Sequence, residues 1–178
     1  MHFTSIRWRI AVPYVVLILA SMLGLSLYVS DRLRRVRLAD LEAQLVSDAR
    51  LISGEVTPVV QSPPDAQALD ALAKEWAAAL DVRVTLIGPD GMVLGESDRD
   101  RAALDNHLGR PEVQQALEDG EGSSIRFSQT VGYEMMYVAL PLSGETTAEP
   151  ETVVRVAVPL RQIQTEVNGL RRMVLTGG

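Results

Sequence analysis

The chain has 178 residues, a net charge of −6, two histidines and no cysteine, which excludes a disulfide framework and a thiolate metal site. Residues 1–37 carry six arginines and one aspartate (+5), and the remainder carries 11 basic and 22 acidic residues (−11). An acidic body of that kind repels phosphate backbones and excludes nucleic acid as a partner.

Twenty uncharged residues, Ile10 to Val29, come first. A helix of that length crosses ~30 Å of hydrocarbon at ~1.5 Å per residue. The run exceeds the roughly 7–15 residues of a signal-peptide core, and no clean small-x-small cleavage site follows it, so it reads as an uncleaved anchor. Arg32, Arg34, Arg35 and Arg37 follow at once, where they can meet anionic lipid head groups. Orientation stays open on charge: the positive-inside rule puts the acidic body in the cytoplasm, but long domains translocate regardless.

Helical spacing continues past the span. Leu38, Leu41, Leu45, Ala49, Ile52 and Val56 recur every three or four residues, and a helix of about 45 residues is predicted to end near Val56. Pro58, Pro63 and Pro64 are expected to break it. Leu38, Leu41, Leu45, Ala49 and Ile52 form a narrow apolar seam with two readings: a parallel helix partner in a homodimer, or packing on the chain's own domain. Asp65 then looks like the N-cap of a helix whose buried stripe is Leu69, Leu72, Trp76 and Leu80.

At Val82 the period changes from 3.6 to 2. Val82, Val84 and Leu86 alternate with Arg83 and Thr85, Pro89-Asp90-Gly91 makes a turn, and Met92 to Leu94 starts a return strand. A polar loop with Asp98, Asp100 and Asp105 follows. With Glu96 these are possible oxygen ligands, but their spacing is not that of a calcium loop, and a solvated acidic loop is the simpler reading. His107 reads as a cap or turn residue. Pro111 opens a helix that stops at Gly120. Three strands are predicted at Ser123 to Gln129, Met135 to Leu142 and Thr152 to Leu160, and a last helix at Arg161 to Leu175. The expected layout is α+β, with a five-stranded antiparallel sheet from residues 82–160 flanked by helices.

No catalytic constellation, phosphate loop or kinase signature occurs, so no catalytic, cofactor-binding or metal residue is assigned. Arg126, Tyr137 and Arg155 fall on predicted strands that can face a small pocket and grip a carboxylate or phosphate. Pairing of the two arginines with Glu134 or another acid is the competing reading.

VTLIGPDGMVLGESDRD, NHLGRPEVQQALEDGEGSSIRFSQTVGYEMMYVALPL and VVRVAVPL closely resemble the extracytoplasmic sensor of bacterial histidine kinases of the phosphate-regulon and cell-wall type. The resemblance implies a PAS-like, Cache-type domain outside the bacterial plasma membrane. Residues 1–9 would be a flank, 10–29 the transmembrane helix, 30–57 a juxtamembrane signalling helix, 58–160 the sensor and 161–178 an exit helix toward a second span. It also implies a parallel homodimer, an unknown extracytoplasmic signal and, through a cytoplasmic half not in this sequence, histidine autophosphorylation and transfer to a response regulator. ATP and magnesium would belong to that half. A stand-alone anchored binding domain, or the sensor of a chemoreceptor or cyclase, is the alternative.

Overall fold

The computed structural model describes residues 6–60, 66–128, 132–142 and 152–160. The predicted helix at Arg161 to Leu175 and the cap at Asp65 lie outside them.

Helix α1 (Ile6–Val60) is continuous. From Ala11 it is long and apolar enough to cross a membrane, and Leu17, Ile18, Leu19 and Leu23 on it are exposed. The helix does not stop at Val56: it runs through position 58 to Val60. A proline in the last turn forfeits only one backbone hydrogen bond and itself prefers helical φ. Thr57 reinforces the turn by donating its hydroxyl to Ser53 O at 2.7 Å.

The chain divides into two compact units, Met1–Leu41 and Glu42–Gly178. The second unit holds the last turns of α1, then α2 (Ala66–Leu80), β1 (Arg83–Ile87), β2 (Val93–Glu96), a 3-10 turn (Arg101–Ala103), α3 (Pro111–Asp119), β3 (Gly122–Ser128), β4 (Tyr133–Pro141) and β5 (Val153–Pro159). The five strands form one sheet in the order β2-β1-β5-β4-β3, with every neighbouring pair antiparallel. The predicted α+β layout is therefore the observed one.

The strands alternate between two covered faces, because residues opposite each other on neighbouring strands share a face. Val84, Leu86, Val138, Val154 and Val156 point to one side and are fully buried. Ser123 lies on that side and donates its hydroxyl to Glu42, which places α1 there. Leu45, Val46, Ala49, Ile52 and Val56 of α1 are buried in this core. The seam residues Leu45, Ala49 and Ile52 are thus core residues of the domain itself, while Leu38 and Leu41 are half-buried. Helix α2 covers the same face through Leu69 and Ala73; Trp76, Leu72 and Leu80 are only half-buried. On the opposite face, Val113 and Ala116 of α3 pack on Ile87, Ala139 and Val153. Gly122 permits that approach, because a Cβ there would collide with Glu112 O and stand 2.7 Å from Ala116 N. Gly120 ends α3 in the left-handed region at φ 82°, as the sequence requires.

Candidate functional site

The α3 face of the sheet is apolar at one end and polar across its middle. Polar residues from all five strands share this face: the strand partners place Glu96, Thr85 and Arg155 opposite one another, and Ser124 opposite Tyr137, one step along the face. Glu112, in the first turn of α3, closes the row from above. Arg83 Nε donates to Glu96 Oε1 at 2.9 Å, and Thr85 Oγ1 donates to Glu96 Oε2 at 3.0 Å. Arg155 Nη2 donates to Thr85 Oγ1 at 3.1 Å, and Arg155 Nη1 lies 3.4 Å from Glu112 Oε1. The same Oε1 accepts from Arg126 Nη2 at 3.1 Å, while Oε2 accepts from Ser124 Oγ at 2.7 Å. The row thus runs unbroken from one edge strand to the other.

Tyr137 lies beneath this cluster. The Arg126 guanidinium carbon stands 4.1 Å from the centre of its ring and that of Arg155 5.2 Å, both within cation–π range. Glu96 and Glu112 are fully buried and Arg155 is 2 % exposed. Burial pushes the Glu112 carboxyl up, but the hydrogen bonds from Arg126 and Ser124 outweigh it, and its pKa falls below the ordinary value. Burial brings Arg155 down to about 10, with Glu112 opposing the fall. Burial also lowers Arg83, yet the hydrogen bond and charge of Glu96 leave it raised.

A cavity of about 660 Å³ opens beside the row. Arg83, Arg110, Arg126, Tyr137 and Arg155 line it on the sheet and α3 side, and the end of β3 and the 98–107 segment, with His107, form the rest of its wall. His107 is 5 % exposed. Its Nδ1 stands 2.6 Å from Asp105 O; a carbonyl only accepts, so Nδ1 carries the proton of the neutral ring. Burial, then the charge of Arg155, lowers its pKa to about 4. The Nε groups of Arg110, Arg126 and Arg155 are buried and have no hydrogen-bond partner. Such donors are what a carboxylate or phosphate is suited to satisfy.

The structure brings Arg126, Tyr137 and Arg155 together at this cavity, although they come from three strands. The acid that pairs with both arginines is Glu112, not Glu134, so the competing ion-pair reading and the pocket reading describe the same place. Glu112, Arg83 and Arg110 were not singled out from the sequence. The helical stripe that buries Val113 and Ala116 also turns Glu112 inward, which was the available signal. Glu96 is engaged by Arg83 and Thr85, and Asp100 caps the 3-10 turn by accepting from Ala102 N. Among the described residues no group of three His, Asp or Glu side chains is placed to hold a metal ion.

No protein-family model matches the sequence, and no curated protein matches it significantly. Solved structures do share its fold. The chain is similar to the sensor domain of E. coli DcuS (TM-score 0.58, 15 % identity, covering 73 % of this chain and 96 % of that one). It is similar to the sensor domain of the V. cholerae histidine kinase DctB (0.56, 19 %, 73 % and 53 %). It is also similar to the ligand-binding domain of the Campylobacter jejuni chemoreceptor Tlp3 in complex with 4-methylisoleucine (0.55, 15 %, 72 % and 55 %). The fold is the PAS-like, Cache-type fold of sensor domains. The chain spans about half the length of the DctB and Tlp3 domains.

Proposed function

We propose that the chain is the signal-input module of a membrane-bound sensor histidine kinase and that the arginine-lined cavity receives a small anionic signal. The observation that carries this reading is the convergence of Arg110, Arg126 and Arg155, each with a buried unpartnered Nε, on one cavity of a sensor-type fold. Helix α1 anchors the protein in the bacterial plasma membrane, with the domain extracytoplasmic. A bound anion shifts the balance between two packed states of a homodimer, and that bias crosses the membrane. A cytoplasmic half would read the bias as histidine phosphorylation and pass the phosphoryl group to a response regulator. A chemoreceptor output is the second reading, favoured by the likeness to the Tlp3 domain.

The test is a fusion of residues 1–178 to the cytoplasmic half of a histidine kinase with a transcriptional reporter. Arg110→Ala should alter reporter output at unchanged membrane abundance, and thermal melts of the purified chain should show anion-dependent stabilisation that this substitution weakens. Output and melts indifferent to both Arg110→Ala and added anions would overturn the reading.

A further inference from the structure

Glu112 sits among the arginines as a small carboxylate would. One oxygen meets Arg126 Nη2 and Arg155 Nη1, and the other takes the Ser124 hydroxyl. The fit is incomplete in one respect. A guanidinium presents a planar fork that best matches both oxygens of a carboxylate at once. Here each arginine gives Glu112 a single N–H, both to the same oxygen, and the Nε of each is buried without a partner. The carboxylate reaches this place on a short tether: Glu112 is the second residue of a nine-residue helix. That helix has Arg110 as its N-cap, with no side-chain capping bond. The Nε of Arg110 is buried without a hydrogen-bond partner. The segment leading into α3 forms the outer wall of the cavity, through Asp98, Asp100, Leu104, Asp105 and His107.

We infer that Glu112 is a tethered occupant of the anion seat, and that a small carboxylate or other oxyanion binds by taking Arg126 and Arg155 from it. This rests on the reading of the cavity as the ligand site and adds how the site is regulated. With Glu112 in place the arginines are neutralised from within and α3 is pinned to β3 and β5. A free anion, not constrained by a helix, can engage both forks and the Nε donors. Glu112 must then leave, and the first turn of α3 lifts with it, because a buried carboxylate without partners is too costly to retain. The seat therefore has two alternative fillings, one internal and one external, and α3 distinguishes them.

The experiment uses the full chain in detergent micelles. Melting temperature is followed against sodium acetate and, separately, sodium sulfate, with ionic strength held constant by sodium chloride. Wild type is compared with Glu112→Gln, which keeps the shape and removes the charge. Competition predicts that half-saturation falls at least tenfold in Glu112→Gln. Equal half-saturation in the two proteins, or weaker binding in the variant, would overturn the inference while leaving the cavity a ligand site. No effect of either anion on either protein would remove both. If Glu112→Gln does not fold, Glu112→Asp draws the charge back by one methylene. Half-saturation is then expected to fall at least threefold, and a value equal to wild type would overturn the inference.

Discussion

Protonating His107 weakens the native state. Burial first, and the Arg155 charge second, hold its pKa near 4, against 6.5 for an unperturbed ring. Between those values the unfolded chain takes a proton that the folded chain refuses, so stability falls as pH falls through that window. The full penalty, reached below it, is roughly 3 kcal/mol. The melting temperature of the wild type should drop from pH 6.5 toward 4, and His107→Gln should flatten that stretch; parallel curves would count against it. Glu112 adds a second loss at lower pH, since its stabilisation is present above the ordinary carboxylate range and disappears as the lowered pKa is crossed. Asp48 is a separate case: it is buried on α1, and its Oδ2 has no hydrogen-bond partner. Asp48→Ala removes that orphan and improves helix propensity, and should raise stability by about 1 kcal/mol in urea titrations. At this scale Arg126, Tyr137 and Arg155 were legible because strand periodicity marks which residues share a face. For Glu112 the inward stripe of α3 was the one available signal; its arginine partners lie 14 and 43 residues away, and only the crossing of α3 over the sheet joins them.

Among the elements, α3 and its flanking glycines make the sharpest test. Gly122→Ala drives a Cβ into Glu112 O and must lift α3 from β3, a loss of about 2–3 kcal/mol. Gly120→Ala meets open space, and its cost is the left-handed φ alone, about 1 kcal/mol. The order of the two denaturation midpoints checks the packing of α3 directly, and reversal would contradict it. Strand and helix positions were legible because the change of period at Val82 is abrupt and Gly120 marks a stop. The end of α1 was not legible, since a proline is a strong breaker inside a helix and a weak one in its last turn. The seam had two readings because a narrow apolar stripe looks the same whether a sheet or a second helix covers it. Leu45, Ala49 and Ile52 are covered by the domain.

For the whole molecule, that burial relocates any contact between two copies along α1. Gln44, Ser47 and Leu51 are exposed and follow one another at helical spacing. Single cysteines there should crosslink in membranes, with Leu51→Cys ahead of Ile52→Cys. Strong crosslinking at Ile52→Cys instead would mean that the domain opens to expose its core. The polar row has a consequence for how the sheet assembles. Side chains alternate along each strand, so sliding β5 by one residue would turn Arg155 into the valine layer and carry Val154 or Val156 onto Glu112. Either error strands a charge in an apolar layer, at a cost comparable with the stability of a domain this size. A sheet of valines alone tolerates misalignment; this one carries an internal ruler, and refolding from denaturant should yield a single aligned species rather than a mixture of slipped ones.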